Sequence, residues 1–432
     1  VIVTPHVSIL LLAMICLLTG SGASAITKTI NASPAIQAFE SWLALPAALR
    51  PPLEKQAFAS TPLTRTEASL ACHRLWDDYA RAVRPALRAD WDNKAVQVGD
   101  VKMKFDYRVF GQKPEKGWDL YVSFHGGGGA PAAVNESQWI NQINLYTPKQ
   151  GIYLAPRAPT DSWDMWHKAH IDALLARLIE GAVLIKGVNP DRIYIMGYSA
   201  GGDGVYQVAA RIADRLAAAS AMAGHPNETS PLGLRNIAFT VHVGENDGAY
   251  RRNKVAADWK KKLDDLQATD PAGYVHEVIL HKGLGHWMNR EDAVALGWMA
   301  AFTRNPLPDK VVWKQDDVTH SQFYWLALPE EAVKARSEIT AERTGQTLVL
   351  TKVSDVSKVT LLLNDRMLDL DKPVSVLWNG KTLFSGMVPR TLATLSRTLN
   401  EKRDAELCFP SGVTVELKDE TQATGSREDI VK

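Results

Sequence analysis

Cysteine is scarce in this chain: three residues in 432, at positions 16, 72 and 408. So few cannot build the disulfide framework on which small secreted folds depend. One bridge between Cys72 and Cys408 is compatible with an oxidising compartment, but the expectation is two buried thiols acting as small apolar side chains. An excess of charge is missing too. Lys and Arg number 49 against 48 Asp and Glu, a net charge of +1. No strong field results, so nucleic acid and anionic membranes are not expected partners. No internal repeat or low-complexity tract is present. Metal-ligand spacing is also poor. His167-x-x-His170 has no third ligand nearby in sequence, so no metal is expected.

What is present begins with an apolar run over residues 8–19, followed by Ala23-Ser24-Ala25. The run is short for a bilayer span, and the A-x-A pattern marks a cleavage site. Residues 1–25 therefore read as a signal peptide, although the residues before the run include His6 and no Lys or Arg. A secreted or periplasmic bacterial protein follows as the expectation, with no membrane segment after cleavage. Residues 26–95 read as a helical segment, interrupted by Pro46, Pro51, Pro52 and Pro62. From 96 to 305, short apolar runs alternate with helical periodicity. That pattern predicts a doubly wound, mostly parallel sheet covered on both faces, an α/β domain. Past Pro306 and Pro308 the helix signals fade. Strand patterns, with Phe323–Leu328 read as one strand and Asn379-Gly380 as a hairpin turn, predict a small antiparallel β-sandwich over 306–418. Residues 419–432 read as a flexible polar tail.

The chemistry centres on Gly197-Tyr198-Ser199-Ala200-Gly201-Gly202, directly after the apolar run Arg192–Met196. G-x-S-x-G between a strand and a helix is a nucleophile elbow, which presents a serine hydroxyl on a sharp turn. A serine hydroxyl needs a base and an acid to orient that base, and in this fold class they follow in the order Ser, acid, His. Asp247 follows the strand Thr240–Val243 and is the preferred acid, with Glu245 as the alternative. His286, after Gly283-Leu284-Gly285, is the base. Backbone N–H groups must hold the developing oxyanion. Ala200, after the nucleophile, supplies one. The run His125-Gly126-Gly127-Gly128-Gly129 supplies the other, with Gly126 and Gly127 as candidates. That run carries neither G-x-G-x-x-G opening an apolar helix nor G-K-[ST], so it is not a phosphate loop. Trp163 and Trp166 follow the fourth expected core strand and offer a platform for a sugar or aromatic ring. Core packing is the competing role for both. His225 and Asp203 are further candidates to line the pocket.

Taken together, His125-Gly126-Gly127-Gly128, the elbow, Gly244-x-x-Asp247 and Gly283-Leu284-Gly285-His286 resemble the α/β-hydrolase family. Within it the chain is most similar to secreted esterases of the polyhydroxybutyrate depolymerase and feruloyl or acetyl-xylan esterase kind. The resemblance covers about residues 96–303. It implies an eight-stranded sheet with one antiparallel strand and ester hydrolysis through an acyl-enzyme, without a cofactor. The implied partner is a small-molecule or polymer ester, such as an acylated polysaccharide. The flanking segments lie outside the resemblance. A serine peptidase of the prolyl-oligopeptidase type is the rival enzyme reading. A non-catalytic glycan- or protein-binding scaffold is the rival outside enzymes.

Overall fold

The computed structural model describes residues 33–417. The expected leader and most of the expected tail lie outside them. Helix α1 (Pro34–Leu43) starts where the Ser33 hydroxyl accepts from the Ile36 N–H. Short 3-10 turns at 47–49, 53–55 and 57–60 occupy the proline-punctuated stretch. Helix α2 (Arg65–Asp92) then runs for 28 residues, opened by a capping box between Thr64 and Glu67. The Glu67 carboxylate accepts from the Thr64 N–H at 2.9 Å and from the Ser33 N–H at 3.1 Å. Burial raises its pKa, but those hydrogen bonds outweigh burial and bring it down to about 2. A depressed carboxylate stabilises the fold above the unfolded pKa and loses that effect as pH falls through the folded one. Glu67→Ala should therefore cost about 1–2 kcal/mol at pH 7, shrinking toward pH 2, as read by denaturant unfolding at both pH values.

The main sheet contains β1 (Ala95–Val98), β2 (Val101–Phe110), β3 (Trp118–Phe124), β4 (Gly151–Pro156), β5 (Val188–Tyr198), β6 (Ala218–Met222), β7 (Ala238–Gly244) and β8 (His276–His281). Their spatial order is β1-β2-β4-β3-β5-β6-β7-β8. β2 runs antiparallel to β4 and to β1, while β4, β3 and β5 to β8 are mutually parallel. Helices α3 (Ala132–Leu145), α4 (Ala169–Gly181), α5 (Ala200–Arg211), α6 (Arg252–Thr269) and α7 (Val294–Met299) connect the strands. The period-two alternation of strands sorts the core residues onto the two faces of the sheet. Leu120, Val122, Ile193 and Ile195 join residues of α4, α5 and α6 in one large hydrophobic cluster. Tyr121, Tyr194 and Met196 point the other way, into a tyrosine–methionine cluster with α7.

Beyond residue 306 come two further sheets. One has order β16-β15-β13-β12-β9 and the other β10-β11-β14-β17. The strands are β9 (Lys310–Lys314), β10 (Gln322–Phe323), β11 (Leu326–Ala327), β12 (Glu338–Thr344), β13 (Thr347–Ser354), β14 (Lys358–Leu363), β15 (Val374–Trp378), β16 (Lys381–Gly386) and β17 (Ser411–Glu416). Asn379 and Gly380 both take positive φ between β15 and β16, as a two-residue hairpin turn requires. Three expectations need correction. The pairing is not wholly antiparallel, because β13 and β15 are parallel. Phe323–Leu328 is two short strands with Tyr324 and Trp325 at the turn, and all three aromatics of that string are buried. A helix, α8 (Leu392–Lys402), interrupts the strand region. Its Leu392, Leu395 and Leu399 pack with Ile36, Phe39, Leu53 and Leu75, so the two ends of the described chain share a core. Trp313, Phe323 and Trp325 extend the larger hydrophobic cluster of the main sheet without a break.

Candidate active site

Strand β5 ends at Tyr198 and α5 starts at Ala200, leaving Ser199 alone between them at φ 57°, ψ −122°. A non-glycine residue at positive φ is strained and must be held by its surroundings. Here the Ser199 N–H donates to the Met222 carbonyl at 2.9 Å. The turn is tight enough that a Cβ at Gly201 would lie 2.1 Å from the Phe124 carbonyl oxygen. That contact is why the motif needs glycine there.

Ser199 Oγ lies 3.0 Å from His286 Nε2, and His286 Nδ1 lies 2.7 Å from Asp247 Oδ2. An ionised carboxylate only accepts, so Nδ1 carries the proton and Nε2 accepts from the serine hydroxyl. Asp247 is buried, whereas His286 stands open to the cavity. The His286 loop is held from below. Tyr198 Oη donates to the His286 carbonyl at 2.5 Å and accepts from the Met288 N–H at 3.1 Å. Glu245 is exposed, and its carboxylate accepts from the Gly283 N–H at 2.8 Å. It therefore braces the histidine loop, while Asp247 reaches the ring.

The loop after β3 is built around His125 and Asn135. Burial brings the His125 pKa down to about 4, so the ring is neutral. Nδ1 contacts the Gly126 carbonyl at 2.7 Å, and Nε2 accepts from the Ala158 N–H at 3.1 Å. The first must then be a donated N–H. In a trans peptide the next N–H, that of Gly127, points the opposite way. Asn135 Oδ1 accepts from the Gly128 N–H at 2.8 Å, and a Cβ at Gly127 would lie 2.1 Å from that oxygen. Gly127 thus lines the cavity with Ser199 and Ala200. Gly126 is not among the lining residues and sits behind the serine, where a Cβ would be 3.2 Å from Ser199 Cβ.

The cavity measures about 710 Å³. Trp163, Asp203, His225, Tyr250 and Arg252 complete much of its wall. Trp166 does not take part as a platform; of its two expected roles it takes core packing. It is fully buried, stacked on Phe124 at 4.5 Å, and donates to the His125 carbonyl at 3.0 Å. Trp163, three residues earlier, is 63% exposed. Arg252 is buried, with Nη1 3.9 Å from Asp247 Oδ1 and its guanidinium over the Tyr250 ring. Asn135, Tyr198, Tyr250 and Arg252 escape the sequence reading. Only Tyr198 carried a signal, as the variable position of the elbow.

Asp203 accepts from the His225 N–H at 2.6 Å, yet burial raises its pKa to about 6. A carboxylate whose folded pKa is raised gives its stabilisation below the unfolded pKa and loses it as pH rises through about 6. Asparagine keeps the acceptor and removes the charge. Asp203→Asn should therefore exceed the parent in stability by about 2–3 kcal/mol at pH 8, with the difference gone by about pH 4. Denaturant unfolding of both proteins across that range reads it directly. An unchanged difference at the two ends would contradict the buried charge.

Among the described residues, one trio has metal-ligand spacing: Glu228, Asp316 and Asp317. Asp316 already pairs with Arg336 and accepts from Thr229, and neither His167 nor His170 belongs to the trio.

The sheet order, the single reversed strand β2 against β4 and the serine elbow define the α/β-hydrolase fold. No family model matches the chain, and no curated protein matches it. Among solved structures, a thermostable esterase matches at 18% identity and TM-score 0.38, over 49% of this chain and 62% of that one. The chain thus spans less than two thirds of that esterase. A poly(3-hydroxybutyrate) depolymerase from Bordetella parapertussis matches at 14% identity and TM-score 0.36, over 48% and 86%. A dipeptidyl aminopeptidase IV homologue from Bacteroides ovatus matches at 13% identity and TM-score 0.34, over 47% and 33%. Identity this low leaves the chemistry to be read from this chain's own side chains.

Proposed function

We propose that the protein is an exported serine carboxylic-ester hydrolase acting through an acyl-enzyme, on an acylated polysaccharide or a related polymer. The observation that carries this reading is the relay from Ser199 through His286 to buried Asp247, facing a cavity that Gly127 and Ala200 also line. Ser199 Oγ attacks the ester carbonyl while His286 Nε2 takes its proton. Asp247 holds the ring and stabilises the imidazolium. The N–H groups of Gly127 and Ala200 hold the oxyanion. His286 then protonates the leaving alcohol, and water repeats the sequence to release the acid. No step calls for a metal or cofactor.

The polymer reading rests on the rim. Among the described residues, the aromatic side chains that stand exposed are Trp163, Tyr250 and Trp287. Two line the cavity, and the third is next to His286. Exposed aromatics gathered at one cleft mark a binding surface. Asp203 and Arg252 beneath them offer an acceptor and a donor for sugar hydroxyls. In this reading residues 96–305 carry the chemistry, and the described parts of the flanking segments, 33–95 and 306–417, brace it. No described helix is long and apolar enough to cross a membrane. Export rests on the leader pattern of residues 1–25.

The test is hydrolysis of p-nitrophenyl esters from acetate to octanoate, methyl ferulate and acetylated xylan. Cleavage of peptides with no turnover of any ester would overturn the assignment. Alanine at Trp163, Tyr250 and Trp287 together should raise KM on the polymer about tenfold more than on p-nitrophenyl acetate. Equal changes on both would refute a polymer-binding rim.

A further inference from the structure

The two cysteines that remain after the expected leader lie far apart in the chain and side by side in space. Cys72 sits on α2 and Cys408 sits just before β17. Both belong to the cluster in which α1, α2 and α8 pack together. Cys408 is buried, with Sγ 3.7 Å from the Leu395 carbonyl of α8, whereas Cys72 is half-buried. Both line one cavity of about 350 Å³ with Arg65, His73, Asp365 and Arg366. A reagent can therefore reach them from one side. In the structure they are free thiols.

We propose that Cys72 and Cys408 are oxidised to a disulfide that staples helix α2 to the C-terminal unit. The location matters because nothing covalent otherwise joins the two ends of the described chain, which meet in one hydrophobic cluster. A bridge closing so long a loop restricts the unfolded ensemble strongly. The oxidant belongs to the disulfide class, either a small-molecule disulfide or a protein disulfide donor of an oxidising compartment. Cys72, the more accessible thiol, attacks as thiolate on one sulfur of the donor. It forms a mixed disulfide and releases the first donor thiolate. Cys408 then loses its proton and attacks the Cys72 sulfur. The Cys72–Cys408 bond forms and the second donor thiol leaves. Two electrons and two protons pass to the donor.

The test uses the full chain carrying Cys16→Ser, so that only Cys72 and Cys408 remain, without reductant; it is incubated with oxidised glutathione, then denatured and treated with N-ethylmaleimide. Expected is a protein that takes up no label and gains about 2 Da on reduction, after which it takes two labels. Peptide mapping should recover one cross-linked pair containing residues 72 and 408. Reduction should lower the melting temperature of the parent by about 5 °C. The melting temperature of Cys72→Ser should not respond to reductant. Two labels before reduction, or a glutathione adduct persisting on either cysteine, would overturn the bridge. A bridge that forms without moving the melting temperature would overturn the stapling role. None of these readouts depends on ester turnover, so the inference and the proposed activity stand or fall separately.

Discussion

Ser199→Ala should lower kcat on p-nitrophenyl acetate by about 10⁶-fold while leaving the folded structure intact. The size follows from what the substitution removes. Without Oγ there is no acyl-enzyme, and His286 has no hydroxyl to deprotonate. Water held by the Gly127 and Ala200 N–H groups gives only residual catalysis. Folding should be indifferent, because Ser199 Oγ makes its hydrogen bond to His286 in an open cavity rather than in the core. The positive φ of 57° is a strain alanine bears equally. Steady-state kinetics and a thermal melt of both proteins check the two halves. Labelling by a fluorophosphonate should disappear with turnover. A variant that keeps more than about 1% of the parent rate would sink the serine mechanism.

The sequence was most legible where chemistry and periodicity coincide. Each strand of the parallel core is a short apolar run, so β3 to β7 stand out, and the elbow follows the run that ends β5. Helix α3 is hard to read from the sequence for a physical reason. Its buried residues are Asn135 and Gln142, which hold the glycine loop after β3 and Ser123 rather than an apolar core. A periodicity built on hydrophobicity cannot see a helix whose inner face is amide. Helix α8 was missed although Leu392, Leu395 and Leu399 have helical spacing, because strands surround it on both sides. Trp163 and Trp166 are the same residue type in one loop. What separates them is Gly204 of α5, where a Cβ would come 2.3 Å from Trp166 Cβ and push the ring out. That information lies some forty residues away in sequence. Tyr250 and Arg252 reach the cavity from a turn in which Tyr250 and Arg251 both take positive φ. No propensity rule places non-glycine residues there.

Asp247→Asn should lower kcat by about 10⁴-fold, whereas Glu245→Gln should change it by less than about threefold. Both acids follow β7 within three residues, and spacing alone leaves them as alternatives. The contacts separate them. Asp247 Oδ2 accepts from His286 Nδ1 at 2.7 Å, so it selects the tautomer that leaves Nε2 free to take the serine proton. An amide in its place can present its NH₂ to Nδ1, which stabilises the other tautomer and puts the ring proton on Nε2, facing Ser199. It also removes the negative charge that stabilises the imidazolium. Glu245 accepts from the Gly283 backbone N–H, a bond that the glutamine carbonyl can still accept. Glutamate has no contact with the ring to lose. The two variants therefore form a paired measurement on one substrate under one buffer. Equal losses would mean that the loop, and not the charge on Nδ1, governs His286. A larger loss in Glu245→Gln would move the acid role to Glu245 and require the histidine loop to turn by one strand position in the working enzyme.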